Sequence, residues 1–174
     1  WSYIAFEQGI EHMSLLEKIH LRKIYNTLIQ EVIVGEMLDV HLTSQDTATN
    51  KDIEEKTLLK TALYSFARPM MIGAVLAGKN NNSIDMYEVF GTHIGMAFQI
   101  GDDIIDIFSS STVLGKEQCK DITERQHTIL SQYIHTNAPI DVQNTYNDFF
   151  GKHISLNETK ILQDILTEQG AYNF

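Results

Sequence analysis

Apolar residues recur at spacings of three and four along almost the whole chain, the period of a helix burying one stripe rather than of an alternating strand. Over residues 10–42 the stripe runs through Met13, Leu16, Ile24, Leu28, Val32 and Leu38. Residues 43–50 are polar, and Asp52 or Thr49 is placed to cap a following helix through Leu58, Leu59 and Leu63. Pro69 suits the first turn, or a kink, of a further helix that carries Met71, Ile72, Val75 and Leu76 and ends near Gly78. A linker over residues 79–83 leads into the longest apolar helix, residues 84–108, where Gly91 and Gly95 stand four apart and predict close approach of another helix. Residues 109–120 read as a loop, and three more helical stretches follow, around residues 121–136, 141–153 and 157–169. Strand signals are missing, since no Asn-Gly or Asp-Gly turn separates alternating segments. The expectation is an all-α chain of one domain, without repeats.

Composition narrows the classes. With 174 residues and 43% hydrophobic positions the chain can bury a sizeable core. It contains no run of about 18 uncharged apolar residues, so no transmembrane helix is expected. A formal net charge of -10 argues against nucleic acid and anionic membrane surfaces as partners. It leaves room for a small polyanion bridged by divalent cations. Cys119 is the only cysteine, which excludes an internal disulfide and suits a reducing compartment, the cytoplasm; it reads as an unreactive free thiol.

The densest chemistry lies in Phe98-Gln-Ile-Gly-Asp-Asp-Ile-Ile-Asp-Ile-Phe108. On a helix Asp102 and Asp106 stack on one face, with Asp103 beside them and Gln99 one turn earlier. Three carboxylates crowded among isoleucines repel one another and lose solvation, and a divalent cation relieves both penalties. Oxygen ligands of this kind select Mg²⁺, which keeps some of its waters and bridges to phosphates. Lys60-Thr61 and Gly115-Lys116 each offer a point charge for a phosphate, and Glu36 and Asp39 stand three apart on a helix. Taken singly, these last features are what any solvated helix face or surface lysine would show.

Taken together they resemble the trans-polyprenyl diphosphate synthases, the family of farnesyl and geranylgeranyl diphosphate synthases. The matching order is Gly-Glu-x-Leu-Asp at 35–39, Lys-Thr at 60–61, Gly-Ala-x-Leu-Ala-Gly at 73–78, Phe-Gln-Ile-x-Asp-Asp-x-x-Asp at 98–106, Gly-Lys at 115–116, and Asp121 with Thr128. The resemblance spans nearly the whole chain and implies the isoprenoid-synthase helical bundle. It implies an allylic diphosphate that ionises with the help of Mg²⁺, attack on the allylic cation by isopentenyl diphosphate, and loss of a proton. In that scheme Asp102, Asp103 and Asp106 form the second aspartate-rich motif and ligate metal, with Asp102 and Asp106 foremost. Lys60 and Lys116 hold the allylic diphosphate as catalytic cations, while Thr61, Gln99, Glu36 and Asp39 line the substrate cleft. A homodimer is implied as well.

The chain departs from the family pattern in several places. The first aspartate-rich motif and the upstream Gly-Lys-Arg-type segment are absent. Residues 1–7 resemble the helix that follows that motif, and Gly170-Ala171 a point short of the family's C-terminus, so the resemblance implies a chain trimmed at both ends. Such a chain alone is expected to pack abnormally and to transfer no prenyl group. Glu36 replaces a frequent Gln, and Gln126 stands where a Lys usually precedes the Thr; His127, if protonated, would make up part of that lost charge. These departures keep a non-catalytic subunit of a heteromeric prenyl synthase, or a terpene cyclase of the same fold, as alternatives. The retained carboxylate cluster argues against the non-catalytic subunit, and Lys60-Thr61 together with Phe-Gln-Ile-x-Asp-Asp favours the chain-elongating branch over the cyclase.

Overall fold

A computed structural model describes residues 2–109 and 118–173, and every described element is helical. In chain order these are α1 (Ser2–Gly9), α2 (Leu15–Thr43), α3 (Asn50–Thr57), a π-helix (Leu58–Ala67), α4 (Arg68–Leu76), α5 (Asn81–Phe108), α6 (Lys120–Thr123), α7 (Ile129–Asn137), α8 (Ile140–Asn147), α9 (Leu156–Glu168) and a closing 3₁₀ turn (Ala171–Asn173).

Local chemistry explains where these elements start and stop. The stripe expected from residue 10 is broken by a turn, because Ser14 and Glu17 form a reciprocal cap that starts α2 afresh: the Ser14 N–H donates to Glu17 Oε2 at 2.9 Å and the Glu17 N–H to Ser14 Oγ at 3.4 Å. Thr49, rather than Asp52, is the cap of α3. Its Oγ1 accepts the Asp52 N–H at 3.2 Å, and its own N–H donates to Asp52 Oδ2 at 2.9 Å. Pro69 sits in the first turn of α4, as its missing N–H and fixed φ dictate. The stretch expected as one helix over residues 121–136 is two, separated at Arg125, whose φ of 58° breaks the ladder; Thr128 and Ser131 then cap α7. The helix expected to reach residue 153 stops at Asn147, and Gly151 turns with a φ of 78°.

The chain forms two compact units. The first comprises Trp1–Gly35 and Leu58–Met96. Its core is Ile10, Leu21, Ile24, Met71, Ala74, Val75 and Ile84, with Phe6 stacked on Tyr25 at a centroid distance of 4.2 Å. Arg68 is buried and held by Glu31 through two bonds of 2.8 and 2.7 Å and by Glu88 at 2.6 Å. Breaking such a buried pair leaves an uncompensated charge, so it fixes which residues may face one another. Three glycines meet the π-helix backbone. A Cβ at Gly35 would lie 2.6 Å from the Lys60 nitrogen, at Gly91 2.5 Å from Ala67 Cα, and at Gly95 2.5 Å from Ala62 Cα. The close approach expected from Gly91 and Gly95 is therefore present, and its partner is the π-helix.

The second unit comprises Glu36–Thr57 and Ala97–Phe174. Its main core gathers Ile107, Cys119, Ile122, Leu130, Ile134, Ala138, Tyr146, Leu162, Leu166 and Ala171, and a smaller cluster joins Leu42, Ala48 and Ile53. Cys119 is a buried free thiol, pushed up to about 11 chiefly by burial, which keeps it in the unreactive protonated form. Arg125 ties the unit together: its Nε donates to the Thr43 carbonyl at 3.1 Å, and its guanidinium lies 5.2 Å from the Phe150 ring centroid.

Candidate active site

The acidic cluster is built by the last three turns of α5. Asp103 and Asp106 are buried and Asp102 is half-buried. The Gln99 Nε2 donates to Asp103 Oδ1 at 2.9 Å, the one-turn contact its spacing predicts. Asp103 is pushed up to about 6, first by burial and then by the charges of Asp102 and Asp106, while the Gln99 bond and the Lys56 ammonium pull the other way. Asp106 is only 1% exposed and fastens the returning chain. Its Oδ2 accepts the Asp121 N–H at 3.1 Å, and its backbone carbonyl accepts the Cys119 N–H at 2.9 Å. A carboxylate at the exposed N–H groups of α6 is in the favourable place for a negative charge.

A second polar group lies in the same unit and was not anticipated from the sequence. Lys56, on α3, is buried; its Nζ donates to the His127 carbonyl at 2.8 Å and to Gln126 Oε1 at 3.2 Å, and lies 3.4 Å from Asp39 Oδ1. Gln126 Nε2 in turn donates to Asp39 Oδ2 at 3.4 Å. The sequence held one cue: Lys56 falls three residues after the buried Ile53, on the helix stripe that should be apolar. His127 does not supply the missing charge. It is 1% exposed, burial holds its imidazole below the ordinary histidine range, and its Nε2 is 3.2 Å from the Gln45 carbonyl, where the neutral ring donates.

Of the residues singled out from the sequence, Glu36, Asp39, Gln99, Asp102, Asp103 and Asp106 belong to the second unit. Glu36 is exposed on α2, three residues before the buried Asp39. Lys60 and Thr61 are half-buried in the π-helix and belong to the first unit. Lys116, with Gly115, lies outside the described residues. Among the described residues no three carboxylate, imidazole or thiol side chains converge closely enough to hold a metal ion by themselves. None of the described helices is long and apolar enough to cross a membrane.

An all-α chain with a stacked aspartate turn in a long helix is the class these features define, and comparison with known proteins places it. A polyprenyl synthetase family profile matches residues 2–166, and the chain belongs to that family. The geranylfarnesyl diphosphate synthase of Natronomonas pharaonis is 30% identical over 122 residues, covering 70% of this chain and 35% of that protein. The geranylgeranyl diphosphate synthase of Methanosarcina mazei is 28% identical over 150 residues, covering 83% of this chain and 43% of that one. Among solved structures, the geranylgeranyl pyrophosphate synthase of Corynebacterium glutamicum, in complex with isoprenyl diphosphate and magnesium, superposes with a TM-score of 0.82 at 27% identity, covering 92% of this chain and 46% of its own. The chain thus spans less than half the length of these relatives.

Proposed function

We propose that this chain carries the leaving-group side of a magnesium-dependent trans-prenyltransferase that condenses isopentenyl diphosphate with an allylic diphosphate. The observation that carries the reading is the turn of Asp102, Asp103 and Asp106, two of them buried, in a family member. The donor set fits magnesium. It consists of hard oxygens whose crowding and burial favour a cation, and a site short of three convergent ligands matches an ion that completes its shell with water and phosphate oxygens. Magnesium, once bound, would neutralise charge developing on the departing diphosphate. Asp102, the least buried of the three, would be the carboxylate nearest to hand for it, with Asp103 behind it held by Gln99. Asp106 would keep the turn in register through its bond to the Asp121 N–H.

Lys60 and Lys116 would bind the diphosphate oxygens, and Thr61 would orient them by its hydroxyl. Asp39 and Glu36 would take part in substrate binding. A scaffold subunit has no use for crowded, desolvated carboxylates, which favours the catalytic reading over the alternatives. The protein would act as a homodimer in the cytoplasm; exposed apolar side chains such as Met86 and Phe90 suit an assembled state, and sedimentation of the natural gene product tests it.

The decisive assay is incorporation of labelled isopentenyl diphosphate by the natural gene product containing this chain, with an allylic diphosphate and Mg²⁺. Asp102→Asn and Lys60→Ala should each lower turnover by roughly 10²–10³. Turnover unchanged by Asp102→Asn would remove the basis of the proposal.

A further inference from the structure

Of the three glycines that meet the π-helix, Gly35 does so at a residue with a proposed chemical role. Gly35 is buried and lies inside α2, where alanine would favour the helix more unless something forbids its methyl group. What forbids it is backbone. A Cβ there would lie 2.6 Å from the Lys60 nitrogen, 3.0 Å from the Leu59 carbonyl carbon and 3.0 Å from Leu59 Cβ. No side-chain rotation moves any of these atoms aside, so the two helices would have to part by about 1 Å to restore ordinary contact. The contact falls where the chain changes its winding: α3 ends at Thr57 and the π-helix begins at Leu58, which makes Lys60 its third residue. A π-helix bonds from i to i+5, which swells the turn and carries the side chains that follow out of the α-helical register. Gly35 leaves room for that swollen turn. Gly95 and Gly91 meet the same helix further on, at Ala62, Phe66 and Ala67, whose side chains offer nothing to a phosphate.

We propose that Gly35 is a positioning residue for Lys60: lacking a side chain, it seats the first turn of the π-helix on α2 and so fixes where the Lys60 ammonium meets a diphosphate. This rests on the reading of Lys60 as a diphosphate-binding cation. The attraction of a point charge falls with distance, and group-transfer chemistry is sensitive to displacements of about 1 Å. Gly35 itself touches no substrate; it acts only through the backbone of Leu59 and Lys60. A methyl group at position 35 therefore has a consequence that one at position 91 lacks. Both would force helices apart, with nearest contacts of 2.6 and 2.5 Å, but the second would do so at Ala67, seven residues beyond Lys60.

Titration calorimetry on the natural gene product, with pyrophosphate in excess Mg²⁺ as the ligand, tests this through a double-mutant cycle. Lys60→Ala should weaken binding about thirtyfold. Gly35→Ala should weaken it about tenfold, and Lys60→Ala added to it should cost only about threefold more, because most of the contact is already lost. Gly91→Ala should bind within about threefold of wild type and keep the full thirtyfold response to Lys60→Ala. Wild-type affinity in Gly35→Ala, a thirtyfold response to Lys60→Ala in that background, or an equal loss in Gly91→Ala each overturn the role of Gly35. If Gly35→Ala does not fold, the cycle is run with Gly73→Ala added throughout, since a methyl group there meets nothing within 4 Å and strengthens α4. A protein that still does not fold makes Gly35 a residue of the fold alone and overturns the inference too. Wild-type affinity in Lys60→Ala is a different failure: it removes the reading of Lys60, and this inference with it.

Discussion

Asp103 and His127 are both buried titratable groups, and burial drives their proton affinities in opposite directions. Free aspartate titrates near 4, whereas folded Asp103 titrates at about 6. Between those values the folded chain keeps a proton that the unfolded chain has lost, so stability falls as pH rises and the penalty is complete above about 6. Without metal, Asp103→Asn should therefore be more stable than wild type at pH 8, by up to about 3 kcal/mol, and indistinguishable from it near pH 4. Urea denaturation at the two pH values measures this, and an equal difference at both would show that ionisation is not the cause. For His127 the sign reverses. Its folded pKa is held low, so the unfolded chain takes up a proton first, and stability is lost as pH falls below about 6.5. His127→Gln should flatten that acid limb while leaving the alkaline limb in place.

At the scale of elements, the π-helix between α3 and α4 is the part that packing decides. Gly35, Gly91 and Gly95 each stand where a Cβ would lie within 2.6 Å of its backbone, so α2 and α5 approach it closely within the first unit. Gly95→Ala should cost about 1–3 kcal/mol by forcing the backbones apart. Gly73 is the control. It lies inside α4 with nothing within 4 Å of a built Cβ, so Gly73→Ala should gain about 0.5–1 kcal/mol through helix propensity. If both substitutions destabilise alike in thermal melts, the close approach at Gly95 is not what sets its cost. The Arg68 pairs with Glu31 and Glu88 brace the same region, and they join residues 37 and 20 apart in sequence.

Over the whole molecule the distribution of apolar surface is the main feature. Leu15, Leu16, Met37, Val40, Met86 and Phe90 are each more than half exposed, and they lie on the two longest helices. Apolar side chains repeated along helices in this way mark contact surfaces. The 174 residues expressed alone should therefore bind a hydrophobic dye and self-associate at micromolar concentrations. A monodisperse monomer with no dye binding would contradict the assignment of these faces to contacts.

The sequence by itself determined the all-α class, because a 3.6-residue period needs no tertiary partner to be read. It determined a cap at Thr49 or Asp52 and the Pro69 start only as local possibilities, and it did not show the restart of α2 at Ser14, which the Ser14–Glu17 hydrogen bonds set. The aspartate turn was legible since Asp102, Asp103 and Asp106 share one helix, where spacing alone fixes who meets whom. Lys56 was not legible. Its partners Asp39, Gln126 and His127 lie up to 71 positions away, and a lysine on an amphipathic helix reads as a solvated charge until something buries it. The same holds for His127, whose neutral state follows from burial beside Phe150 rather than from its neighbours in the chain. Patterns carried within one helix were thus written in the sequence. Charges set by desolvation and by contacts between helices were decided only when the chain folded, because both depend on what surrounds a residue in space.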